Sequence, residues 1–133
     1  MARILLIDDD DSVRKILRLT LVHFGHTVIE ARNGKEGLEL FPHAHADLLI
    51  TDIVMPEKEG IEVLFELRKL HSPVKIIAIS GGGRRDATEY LHMATLMGAA
   101  KVLAKPFSNE ALIAAVNELF PGDHAPAEPA AVQ

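Results

Sequence analysis

The chain has 133 residues, with 14 Lys and Arg against 19 Asp and Glu, a net charge of −5 and no cysteine. That length suits one domain with a core of its own, and the missing cysteines exclude disulfides and thiol catalysis. The acidic balance argues against direct nucleic-acid binding, and a cytoplasmic location suits a thiol-free chain.

The first strand is expected over residues 4–7, an unbroken apolar run of the kind buried on both faces. Residues 8–11 are all Asp and follow at once, so the run is neither a signal peptide nor a membrane span. From Ser12, the residues Val13, Ile16, Leu17, Thr20, Leu21 and Phe24 recur at helical spacing, and Gly25 can stop that helix. A weaker strand covers residues 26–31, and Asn33 can cap a short helix that carries Leu38 and Phe41 and ends before Pro42.

The stretch around which the chain is organised is residues 47–56, Asp-Leu-Leu-Ile-Thr-Asp-Ile-Val-Met-Pro. Leu48, Leu49 and Ile50 read as a buried strand too short for a helix, and Pro56 cannot continue a ladder, so Asp52 falls at the strand's end. A helix follows from Ile61 to about Leu70, then a strand over residues 74–80 that ends at Gly81-Gly82-Gly83. Residues 86–97 read as helix, residues 100–105 as the fifth strand, and Leu112, Ala115, Val116 and Leu119 as a last helix capped by Ser108. Residues 121–133 are rich in Pro and Ala, lack periodicity and are expected to form a flexible tail behind a domain of residues 1–120.

Such alternation implies an α/β fold with a parallel sheet and helices on both faces. Right-handed crossovers bring all strand C-terminal ends to one edge, where ligands bind at the point of strand-order reversal. For five strands in the order 2-1-3-4-5 that point lies between the strands delivering Asp8 and Asp9 and the strand delivering Asp52. Ser80 and Lys105 end the neighbouring strands. Three carboxylates close together repel unless a cation or protons intervene, and hard oxygen donors favour Mg²⁺, for which Mn²⁺ can substitute. A carboxylate can attack a phosphoryl group, which calls for positioning and charge neutralisation. Lys105 supplies a point charge, Ser80 a donor hydroxyl, and Gly81 leaves room.

The segments Ile7-Asp8-Asp9-Asp10, Asp52-Ile53-Val54-Met55-Pro56, Ile79-Ser80-Gly81 and Lys105-Pro106-Phe107 together resemble the receiver domains of bacterial two-component response regulators. The resemblance spans nearly all of residues 2–120. It implies a CheY-like, flavodoxin-like fold in which Asp52 accepts phosphate from a sensor histidine kinase or a histidine phosphotransfer protein. It further implies Mg²⁺ held by Asp8, Asp9, Asp52 and the Val54 backbone carbonyl, and a phosphoryl group bound by Ser80, Gly81 and Lys105. The Lys105–Pro106 peptide would be cis. The downstream partner, unnamed by the sequence, would dock on the predicted fourth helix, fifth strand and last helix.

Two positions depart from the family pattern. Val102 stands where the family usually carries Tyr or Phe as a rotamer switch, which implies a muted hydroxyl-to-surface signal or one carried around Tyr90. Glu59 precedes Gly60 where Asp is commoner, implying a looser start to the helix that follows.

Blander readings compete at several places. Residues 8–11 can be a solvated run capping the first helix, and His43 and His45 next to Pro42 read as loop surface without further ligands. The glycines after Ser80 lack the GxxxxGK[ST] spacing of a phosphate-binding loop. Two other functions stay open: an Mg²⁺-dependent phosphohydrolase with an Asp nucleophile, and a receiver-like module that is never phosphorylated. The first usually needs a second Asp two residues on, where Val54 stands. The expectation is a non-enzymatic, stand-alone receiver that promotes only its own phosphorylation and dephosphorylation, or otherwise the first part of a longer regulator.

Overall fold

A computed structural model of the chain describes residues 2–53, 59–69, 73–80, 92, 95 and 98–121. The elements run β1 (Arg3–Ile7), α1 (Asp11–His23), β2 (Thr27–Ala31), α2 (Gly34–Ala44), β3 (Leu48–Asp52), α3 (Glu59–Lys69), β4 (Lys75–Ser80), β5 (Lys101–Ala104) and α4 (Asn109–Leu119). All four strand pairings are parallel, in the order β2-β1-β3-β4-β5, as the alternation predicts.

Each central strand alternates its side chains between two apolar layers, which is why these strands read as unbroken apolar runs. Ile4, Leu6, Leu48, Ile50, Ile77 and Ile79 face one side, where Leu17 and Leu21 of α1 and Leu112 and Val116 of α4 cover them. Leu5, Ile7, Leu49, Ile76 and Ala78 face the other, against Val63, Leu64 and Leu67 of α3, with Leu38 and Phe41 of α2 packed alongside. Fully burying an aliphatic side chain of this size contributes about 1.5–3 kcal/mol, so the double-sided sheet is the main source of stability.

The helix ends differ from the sequence reading in three places. The N-cap of α1 is Asp10, whose carboxylate accepts from the N–H groups of Ser12 and Val13, so the helix begins one residue before Ser12. Pro42 lies inside α2 rather than after it. Proline gives up only its own N–H, so in the last turn the helix loses a single bond. Arg3 then covers the exposed end by donating from Nε (3.0 Å) and Nη2 (2.8 Å) to the Ala44 carbonyl. His43 is therefore helical, and His45 is the C-cap in the left-handed region at φ 51°, not part of a loop beside the proline. In α3, Glu59 is itself helical, two residues before the predicted start at Ile61.

Asn33 and Ser108 cap α2 and α4 as read from the sequence, accepting from the N–H groups of Glu36 and Ala111. Of the predicted helix over residues 86–97, His92 and Thr95 are helical; Tyr90, Met93 and Met97 lie outside the described residues. So do Val54, Met55, Pro56, Gly81, Gly82, Gly83, Arg84 and Arg85, and the tail beyond Pro121. Among the described residues no helix is long and apolar enough to cross a membrane.

Candidate functional site

The parallel register sets four candidate site side chains along one edge of the sheet. Ile7 pairs with Thr51, Asp52 with Ile79, and Ser80 with Ala104. Asp8 therefore follows the end of β1, Asp52 and Ser80 close β3 and β4, and Lys105 follows β5. Backbone bonds hold these tips level: Asp8 N–H donates to the Ala31 carbonyl (3.3 Å) and Lys105 N–H to the Ser80 carbonyl (2.8 Å).

Asp8, Asp9 and Asp52 each bring one carboxylate oxygen to within 4.8 Å of the others. Asp8 and Asp52 are buried, whereas Asp9 is exposed. The Lys105 ammonium reaches across from β5, with Nζ 3.1 Å from Asp52 Oδ2 and 3.5 Å from Asp8 Oδ2. Burial pushes the Asp8 carboxyl above the usual range, and the negative charge of Asp52 adds to this. The Asp10 N–H and Lys105 oppose the shift without cancelling it. For Lys105, burial disfavours the charge, but attraction to Asp52 and Asp8 outweighs it and raises the pKa.

Ser80 is fully buried, and its Oγ has no hydrogen-bond partner among the described residues. A buried hydroxyl without a partner costs about 1–3 kcal/mol, so its presence at this edge is informative. Val102 in β5 is half-buried against the layer that contains Leu5 and Ile7, and it pairs with Ala78. The Lys105–Pro106 peptide is cis. The Val54 carbonyl and Gly81, both expected at the site, lie outside the described residues.

The donor set suits a hydrated divalent cation. Three carboxylate oxygens converge with no His or Cys among them, and the exposed Asp9 leaves a side open to water. These residues fit Mg²⁺ or Mn²⁺.

Sequence reasoning missed Arg14. Its guanidinium donates from Nη1 to the Asp8 carbonyl (2.8 Å), from Nη2 to Asp11 Oδ1 (2.7 Å) and from Nε to Glu30 Oε1 (3.1 Å). The available signal was an Arg one turn into a helix that follows an acidic run. Nothing local pointed to its third partner on β2.

Comparison with known proteins places the fold. The family model described as "Response regulator receiver domain" matches residues 4–117. The chain is 34% identical to the transcriptional regulatory protein CpxR of Escherichia coli K12 over 124 residues, which are 93% of this chain and 51% of CpxR. It is 36% identical to the response regulator MprA of Mycobacterium ulcerans over 118 residues, covering 89% of this chain and 50% of MprA. The chain thus spans about half the length of these relatives. Among solved structures, the receiver domain of a Francisella response regulator superposes with a TM-score of 0.81 at 30% identity, covering 91% of this chain and 98% of that one. With a family model matching most of its length and the predicted strand order in place, the chain belongs to the response regulator receiver domain family.

Proposed function

We propose that this receiver accepts a phosphoryl group on Asp52 from the phosphohistidine of a sensor histidine kinase or histidine phosphotransfer protein. The observation that carries the reading is the position of the Asp52 carboxylate, buried at the sheet edge with Lys105 against Oδ2 and Asp8 and Asp9 beside it. In the transfer an Asp52 oxygen bonds to phosphorus while the P–N bond breaks, and the donor imidazole leaves with the electron pair and takes up a proton. Mg²⁺, held by Asp8, Asp9 and Asp52 and by the Val54 carbonyl, would neutralise charge on the carboxylates and on the incoming oxygens.

This chain's own residues do the rest. The Lys105 ammonium, 3.1 Å from Asp52 Oδ2, would contact a phosphoryl oxygen there. The Ser80 hydroxyl, without a hydrogen-bond partner among the described residues, would donate from the adjoining strand tip, and Gly81 would leave the donor room to approach. Binding of these two groups to the phosphoryl oxygens would pull the ends of β4 and β5 together. That movement would alter a partner-binding surface on the predicted fourth helix, β5 and α4, with Val102 in place of an aromatic switch.

The protein is then a cytoplasmic signalling switch or relay and not an enzyme acting on external substrates. Residues 1–120 make the receiver, with residues 121–133 as an appended tail. Similarity to proteins described as transcriptional regulatory proteins and as the sensor kinase CckA of Brucella abortus supports a place in two-component signalling.

The test is incubation with Mg²⁺ and acetyl phosphate, followed by intact mass measurement. One added phosphoryl group, lost slowly and absent from Asp52→Asn, is expected. Turnover of an external phosphoester would establish the hydrolase instead, and no label would leave an unphosphorylated module.

A further inference from the structure

We infer that Arg14 is a positioning residue for the divalent-cation site, acting on Asp9 through the peptide that joins it to Asp8. The inference rests on the metal-binding reading above and goes beyond it.

Asp8 is fixed at every polar atom. Its N–H donates to Ala31, Oδ1 accepts from the Asp10 N–H (2.9 Å), Oδ2 faces Lys105, and its carbonyl accepts from Arg14 (2.8 Å). Asp9 is different. It is exposed, so burial does not hold its carboxylate, yet that carboxylate is one of three in the cluster. The Asp8 carbonyl and the Asp9 N–H belong to one planar unit, so a guanidinium on that carbonyl sets the direction in which Asp9 leaves the strand.

Arg14 is itself held firmly. Its side chain is only 11% exposed and fills the space between Asp11 on its own helix and Glu30 on β2. Three acceptors lie in three directions around one planar fork, which a lysine ammonium on a flexible stem does not reproduce. Arg18 makes a useful contrast. Its Nε stands 2.8 Å from Glu30 Oε2, but the Nε–H has no hydrogen-bond partner among the described residues, and the hydrogen bond to the Asp8 carbonyl comes from Arg14. Both arginines carry a positive charge beside Glu30, and only Arg14 reaches the acidic loop.

Partners that orient first ligands typically change metal affinity by about 10–100-fold when removed. The experiment is a Mg²⁺ titration of the unphosphorylated full chain, read from amide shifts of Asp8 and Asp9, with thermal melts without metal in parallel. Arg14→Lys and Arg14→Ala are expected to weaken Mg²⁺ by about tenfold or more. Arg18→Ala should stay within about twofold of wild type, given the median worth of exposed ion pairs. Arg14→Lys keeps the charge and most of the stem, so it keeps the test meaningful if Arg14→Ala fails to fold. Normal Mg²⁺ binding by Arg14→Lys, or an equal loss in Arg18→Ala, overturns the role given to the fork. Wild-type protein that binds no Mg²⁺ overturns the metal reading beneath it, and the inference with it.

Discussion

Lys105 Nζ lies 3.1 Å from Asp52 Oδ2, an ammonium from the end of β5 facing a buried carboxylate at the end of β3. It also lies 3.5 Å from Asp8 Oδ2, so one cation serves two acids. Lys105→Met removes that cation and leaves two buried carboxylates facing each other. Breaking a fully buried pair costs about 3–5 kcal/mol, but Lys105 is 24% exposed and the acids can draw in water, so about 1–2 kcal/mol is expected. Thermal melts should show a lower Tm without metal and a larger gain on adding Mg²⁺ than in wild type. An unchanged metal-free Tm would mean that the ammonium does not compensate the acids.

The raised pKa of Asp8 gives a stability dependence with a definite sign. A carboxyl whose pKa is higher folded than unfolded favours the native state in acid, and that contribution is lost as pH rises through the folded value. At neutral pH the buried charge on Asp8 is therefore a cost. Asp8→Asn removes it while keeping an oxygen for the Asp10 N–H. Metal-free Asp8→Asn should therefore melt above wild type at pH 7. The difference should vanish as pH falls below the unfolded carboxyl value of 3.8. A variant that melts below wild type at pH 7 would show that attraction to Lys105 exceeds the burial cost.

The strands and the acids at their tips were legible because both depend on short-range pattern. Leu48, Leu49 and Ile50 are apolar without a break because both faces of β3 are covered, and Asp52 ends the run. The first helix was harder. A wheel through Val13, Ile16 and Leu17 puts them near one another, yet Leu17 is 4% exposed and Ile16 56%, a division set by where α4 sits. Four Asp in a row gave no local reason to choose Asp10 as the cap. Arg14 was invisible for another reason. Its acceptors are a backbone carbonyl, a neighbour on its helix and a carboxylate 16 residues away, brought together only when α1 packs on β2.

The close approach of α2 to β1 supplies a test of how packing supports the site. A Cβ added at Gly37 would stand 2.2 Å from Ile7 Cδ1 and 2.9 Å from Ile7 Cγ1, and Ile7 is buried directly before Asp8. Ala in place of helical Gly gains about 1 kcal/mol of propensity, while overpacking a core costs about 1–3 kcal/mol. A branched side chain in a filled layer has little room to rotate, so Gly37→Ala should be net destabilising by roughly 1 kcal/mol. Ile7→Val removes Cδ1 and should make the pair less destabilised than the sum of the single changes. Chemical denaturation of all four proteins measures this, and strict additivity would mean that the helix shifts rather than Ile7.

Ser80 offers a separation of stability from function. Its hydroxyl is buried with no partner among the described residues, so deleting it removes a desolvated group without breaking a described hydrogen bond. Metal-free Ser80→Ala should therefore melt at or slightly above the wild-type temperature, by up to about 1 kcal/mol. If the hydroxyl donates to a phosphoryl oxygen on Asp52, losing it should slow labelling by acetyl phosphate by about tenfold or more, as removal of a preorganised donor does elsewhere. Ser80→Thr retains the donor and should recover most of the rate wherever its extra methyl is accommodated. A rate unaffected in Ser80→Ala would remove Ser80 from the phosphoryl site, while a marked drop in Tm would reveal a structural bond made by the hydroxyl.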